Sequence, residues 1–166
     1  MGLHNAAGMR QRFGLALLAA FVAAACSSGS PMFTLSDARV DAVHQCPGGV
    51  VDAKYDVHAT IQARNATARD VTIESATAEM VLASVTGSWL EKVGDRYDAG
   101  TVVVSPSTIA KNSTAQLDVT IPSSCTSGLH GSTKSSSGSY RVTVHLTTSA
   151  GSFTVAAGNR HEILGA

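Results

Sequence analysis

The sequence predicts an all-β protein, an antiparallel β-sandwich of about seven or eight strands behind an N-terminal leader. Three observations carry this expectation. Apolar and polar residues alternate with period 2 over Tyr55 to Arg64, Ala115 to Ile121 and Tyr140 to Thr147, the pattern of strands with one buried and one wet face. Clusters of Gly, Pro, Ser and Asn punctuate these runs at short intervals, with no helices alternating between them. The composition is 44% hydrophobic but only 5% aromatic, so a core must be built from Val, Ile and Leu. The length, 166 residues, suits one domain.

Met1 to Ala25 opens with a polar stretch carrying Arg10 and Arg12 and continues as an apolar run from Phe13 to Ala25. That run is too short to cross a bilayer, which takes about 20 apolar residues, and it reads as a signal peptide. A start at Met9, directly before Arg10, would leave the signal whole. Without residues 1–25 the chain holds 10 Lys plus Arg and 12 Asp plus Glu, a net charge of −2, so neither a nucleic-acid-binding patch nor an acidic tail is expected. Residues 26–36 read as an anchor and a flexible tether around Ser27-Ser-Gly-Ser30, and residues 37–166 as the sandwich domain.

The tetrapeptide Ala23-Ala-Ala-Cys26 resembles the lipobox of bacterial lipoproteins, in which the signal is cut just before a cysteine that becomes lipid-modified. The resemblance implies an exported protein held through Cys26 on the cell membrane or outer membrane, facing the periplasm or the exterior. Two or three acyl chains such as palmitate, at about 0.8 kcal/mol per buried methylene, anchor stably where one does not.

The elements follow in order. Phe33 to His44 carries a weak strand pattern, expected as a first edge strand, and Cys46-Pro-Gly-Gly49 breaks it. Tyr55–Arg64 and Asp70–Ile73, flanking the turn-rich Asn65–Arg69, predict a hairpin. Ser75 to Val85 continues as strand, although Ala, Glu, Met and Leu would also support a short helix. Gly87 to Gly100 reads as a long surface loop. Short strands at Val102–Val104 and Ala115–Ile121 are each expected to stop at a proline, Pro106 and Pro122. Cys125 to Ser139, rich in Ser and Gly, reads as a mobile loop. Tyr140–Thr147 and Phe153–Val155 predict a second hairpin around Ser149–Ser152, with a last strand at Ile163 and Leu164. The pattern is similar to the immunoglobulin-like sandwiches of bacterial surface proteins, over roughly residues 37 to 164.

With Cys26 taken by lipid, Cys46 and Cys125 remain as an even pair in an exported domain, where oxidation to a disulfide is expected. His58 and His145 fall on the solvent sides of their strands; on neighbouring strands they would meet and bind copper or zinc, which defines a second reading as a metal-handling envelope protein. No two histidines share a ligand spacing such as H-x-H, and the favoured reading holds no metal or other cofactor. Neither a G-x-S-x-G elbow nor an S-x-x-K pair occurs, so an enzyme is not expected. Asp95 and Asp98 near Glu91 read as a solvated loop, and Asn65-Ala-Thr67 and Asn112-Ser-Thr114 as turns. Trp89 and Tyr97, aromatics among charges, are the candidate contact residues for another envelope protein or polymer, Trp89 alternatively plugging the end of the core. The expected function is therefore a non-enzymatic binding or structural module of the cell envelope.

Overall fold

The computed structural model describes residues 32–50, 52–125 and 136–165. Cys26 and His130 lie outside them, as do the leader and most of the tether. Eleven strands are present among the described residues: β1 Phe33–Val40, β2 Val43–Gln45, β3 Ala53–Asn65, β4 Val71–Thr86, β5 Arg96–Thr101, β6 Val103–Ser105, β7 Thr108–Ile109, β8 Ser113–Cys125, β9 Ser137–Thr148, β10 Gly151–Ala156 and β11 His161–Leu164. One sheet has the order β1-β3-β8-β6; the other runs β2-β11-β9-β4-β5, with β10 also paired to β9 and β7 to β4. With β1, β3, β8 and β6 in the A, B, E and D positions of one sheet, and β4 and β9 in the C and F positions of the other, this is the immunoglobulin arrangement. β1 starts at Phe33, inside the stretch read as tether, because Phe33 is buried and its strand pairs with β3.

The core follows from the alternation. Val57, Ile61, Leu117 and Ile121 point inward from the first sheet, and Met80, Leu82, Val142 and Leu146 from the second, each fully buried. The segment around residue 80 is strand throughout, since β4 is clamped along its length by β9. Helix propensity there is overridden by the ladder and by burial of alternate side chains.

Three expectations are corrected. β3 and β4 are not a hairpin: β3 pairs with β1 and β8 in one sheet, while β4 pairs with β9 in the other, so the chain crosses the sandwich between them. Asn65 at the crossing is completely buried and builds the turn with its amide. Its Nδ2 donates to the carbonyls of Arg69 (2.8 Å), Ile109 (3.1 Å) and Ala110 (3.1 Å), and its Oδ1 accepts from the Thr67 amide (3.0 Å) and hydroxyl (2.7 Å). Second, β8 does not stop at Pro122 but continues to Cys125. β6 covers β8 only over Asp118–Thr120, so the ring faces an edge where no amide proton is needed, and the Pro122 carbonyl on that edge is met by the Tyr97 hydroxyl at 3.3 Å. Third, Ser137–Ser139 open β9 rather than belonging to a loop, while residues 126–135 fall outside the described residues. The strand Val102–Val104 does end before Pro106, and the β9–β10 hairpin and the strand at Ile163 form as expected.

Replacing Asn65 with Ala removes the donors that three inward carbonyls share. Urea unfolding of Asn65→Ala is expected to show a loss of about 2–4 kcal/mol, the size of leaving several buried acceptors unpaired.

Candidate functional site

One end of the sandwich gathers most of the polar aromatic side chains of the domain. Ala53 is in register with Cys125 and Tyr55 with Ser123, so Tyr55 lies just inside the end of the first sheet. His161 is in register with Tyr140 on the second sheet. The two sheets meet through these residues. The Tyr55 ring stacks on His44 with centroids 3.7 Å apart and planes 4° apart, and its other neighbour is the His161 ring at 5.9 Å. Cys46 and Cys125 close the same end as a disulfide, with Cα atoms 5.8 Å apart, joining the segment after β2 to the last residue of β8.

His161 is buried and both its ring nitrogens are engaged. Nδ1 lies 2.7 Å from the Asp41 carbonyl oxygen, which only accepts, so Nδ1 carries the proton. Nε2 is then the acceptor for the Tyr55 hydroxyl at 3.3 Å. Burial holds the imidazole below its ordinary titration range, against opposing contributions from the hydrogen bond to Asp41 and from the Asp41 charge; the nearby His44 lowers it further. Burial likewise pushes the Tyr55 phenol up to about 12, with a hydrogen bond from Ser123 working the other way.

Trp89 belongs to the same end. Its indole N–H donates to Glu91 Oε2 at 2.7 Å and reaches the Tyr140 hydroxyl oxygen at 3.1 Å, while that hydroxyl donates to the same carboxylate oxygen at 2.6 Å. Burial, and next the hydrogen bond to Glu91, raise the Tyr140 phenol well above its ordinary range. The indole lies across β9 where the strand has no side chain: a Cβ on Gly138 would stand 2.5 Å from Trp89 Cε2. Gly138 therefore sits in a strand because an aromatic ring needs its space, which a reading of composition as loop could not detect.

Trp89 is thus turned inward, half-buried against the core, and does not offer a free contact face. Tyr97 is exposed on β5, in the second half of the expected loop, which pairs with β4. The remaining loop is pinned by main-chain bonds from Leu82 N to Asp95 O and from Gly94 N to Leu82 O, each 2.9 Å. It displays Leu90 and Val93, 54% and 63% exposed, which sequence reasoning did not single out because isolated aliphatics carry no motif.

His58 and His145 are not brought together. His58 lies on the outer face of the first sheet and His145 on that of the second, where its Nδ1 contacts Thr154 Oγ1 at 3.0 Å. Facing sheets alone are about 10 Å apart, so outward side chains on opposite sheets cannot share one ion. The copper or zinc reading built on this pair is overturned. Among the described residues no group of three or more His, Cys, Asp or Glu side chains is placed to hold a metal.

No protein-family model matches this chain. No curated protein matches its sequence. Loose likenesses to solved structures exist. A Northeast Structural Genomics Consortium target is 15% identical at TM-score 0.42, over 78% of this chain and 84% of that one. The ASH/PapD-like domain 7 of human CEP192 is 8% identical at TM-score 0.31, over 94% and 98%. AggA, the major subunit of aggregative adherence fimbriae type I from Escherichia coli, is 10% identical at TM-score 0.32, over 80% and 94%. These are too distant to bear on function, and the immunoglobulin-like architecture rests on the strand order itself.

The buried imidazole makes the fold acid-sensitive. In the native state His161 stays neutral below the pH at which the unfolded chain's imidazole takes up a proton, near 6.5, so the unfolded state binds more protons as pH falls. Stability is thus complete above about pH 6.5 and declines from there toward the lowered native value, with a slope of at most about 1.4 kcal/mol per pH unit from this one group. Denaturant unfolding between pH 7 and 5 is expected to show this decline in the parent and a shallower one in His161→Gln.

Proposed function

We propose that this chain is an exported bacterial lipoprotein, anchored through Cys26 and presenting a non-enzymatic sandwich that binds or supports another envelope component. The observation that carries the reading is the run from Arg10 to Cys26: a cationic start, a short apolar stretch and small residues ending at cysteine. The disulfide between Cys46 and Cys125 supports it, because such bonds persist where thiols are not kept reduced. The chemistry of the aromatic end supports the non-enzymatic part. His161, Tyr55 and Tyr140, whose titrations are displaced, are spent on hydrogen bonds that hold the sheets and the Trp89 segment together. What faces outward nearby is Leu90, Val93 and Tyr97 on a pinned backbone, a surface suited to contact rather than to proton transfer.

Replacing Cys26 with Ser is expected to leave the domain folded and release it from membranes. Membrane fractionation with labelled fatty acid tests this: the parent should incorporate label and sediment with membranes, and the variant should do neither. A parent that takes up no label, with membrane retention unchanged in the variant, would remove the lipoprotein reading.

A further inference from the structure

The first and last strands place their outer termini at opposite ends of the sandwich. β1 begins at Phe33, in register with Asn65, the last residue of β3, and Ala66 N donates to Met32 O at 3.1 Å. The segment before Phe33 therefore arrives at the Asn65 end. Leu164 lies at the other, in register with Ser137, the first residue of β9, and Gly165 N donates to Ser136 O at 2.8 Å. Trp89 covers Gly138 at that second end, and Leu90 and Val93 follow it in the same segment. The 13 residues of β3 run from one end to the other, roughly 40 Å at about 3.3 Å per residue.

The Asn65 end is basic. Arg64, next to the last residue of β3, lies between Thr34 of β1 and Thr114 of β8. Arg69 closes the crossing, its carbonyl held by Asn65 Nδ2 at 2.8 Å, and Lys111 follows β7, its amide held by Asp70 Oδ1 at 2.8 Å. The bond from Asn112 N to Thr67 O, at 3.3 Å, ties the two turns together. Arg64, Arg69 and Lys111 are all exposed, and among the described residues none of them is in an ion pair. The carboxylates near them are Asp70 in the same rim and Glu74, the fourth residue of β4. This excess of cations stands out in a chain that carries 10 Lys plus Arg against 12 Asp plus Glu once residues 1–25 are removed. The opposite end has no such excess: Glu91 and Asp95 balance Lys92 and Arg96, and Asp52 and Asp56 outnumber Lys54.

We infer, on the lipoprotein reading above, that the Asn65 end docks on the anionic phospholipid surface that holds the anchor, so that the domain stands upright with Leu90 and Val93 turned away from the membrane. Six residues separate Cys26 from Phe33, a reach of at most about 25 Å even fully extended. That is shorter than the sandwich, so the tether excludes an inverted domain with its aromatic end on the lipid. The charges then hold the near end down. Each Lys or Arg is drawn to an anionic leaflet over a Debye length, about 8 Å at physiological salt. The short tether makes the contact intramolecular, so three basic side chains suffice where they would not hold a free domain. Met32, 60% exposed at the same rim, offers an apolar side chain at headgroup level.

The mature chain from Cys26 onward, purified without reductant and coupled through the Cys26 thiol to a maleimide lipid in vesicles, tests the docking whether or not cells acylate that residue; Cys46 and Cys125 are protected by their bond. Trp89 is the single tryptophan of the chain, so energy transfer from it to dansyl-labelled headgroups reports how near the far end comes to the surface. On vesicles containing phosphatidylglycerol, relative to phosphatidylcholine alone, transfer should fall and hydrogen exchange at residues 66–69 and 110–112 should slow several-fold. Both differences should vanish in about 0.5 M salt, and in the variant Arg64→Glu with Arg69→Glu and Lys111→Glu, while Lys92→Glu at the opposite end should keep them. Should the triple variant fail to fold, the salt dependence of the parent decides. Equal transfer and exchange on the two vesicle types, or differences that survive high salt or persist in the folded triple variant, would overturn the proposal. A parent that takes up fatty-acid label in cells yet behaves equally on both vesicles loses the docking and keeps the anchor.

Discussion

The bond between Cys46 and Cys125 is the constraint on which the rest of the domain depends, because it joins the two sheets where the chain enters them. β2 belongs to the edge of the second sheet and β8 to the middle of the first, and the bridge spans 79 residues of sequence between them. By fixing the chain beside the start of β3, it also fixes where Tyr55 meets His161. Closing a loop of that length removes, on the chain-entropy account, about 4–5 kcal/mol of freedom from the unfolded chain, comparable with the whole stability of a small domain. The aromatic cluster beside it adds hydrogen bonds at the same end: Tyr55 to His161 across the sheets, Tyr97 to Pro122 over the edge and Tyr140 to the Glu91 carboxylate under the Trp89 segment.

Polar groups inside this sandwich act as fixed joints. Asn65 at one end and His161 at the other are both almost wholly buried, and each satisfies backbone groups that no ladder reaches. Asn65 shapes the crossing from β3 to β4. His161 ties β11 to Asp41, the residue at which the chain leaves β1 and approaches β2. Both ends are therefore specified by side-chain chemistry, while the middle is specified by alternating aliphatic burial.

Much of this was legible in the sequence. Tyr55, Val57, Ala59, Ile61 and Ala63 form the inner face of β3, as their period predicts, and Tyr140, Val142, Val144 and Leu146 do the same in β9. The disulfide followed from the even pair of cysteines that remains once Cys26 is set aside. What was not legible depended on partners distant in sequence. The segment Asn65–Arg69 has the composition of a hairpin turn, yet turn residues do not reveal whether the chain folds back in its own sheet or crosses to the other. Gly138 signals flexibility until Trp89 is placed against it. Pro122 signals a strand end until the open edge beside it is seen. Of the candidate site, Tyr97 lies where a contact residue can act, Trp89 does not, and the His58/His145 pair fails because a pleated strand records which side faces out but not which sheet it joins.

One covalent link holds the two sheets in register at the aromatic end. Thiol titration of the chain purified without reductant and then unfolded, paired with urea unfolding in the presence and absence of reductant, checks this link. Neither Cys46 nor Cys125 is expected to react before reduction, and reduction is expected to lower the unfolding free energy by about 2–5 kcal/mol. Two reactive thiols in the unreduced chain, or an unfolding midpoint indifferent to reductant, would contradict it.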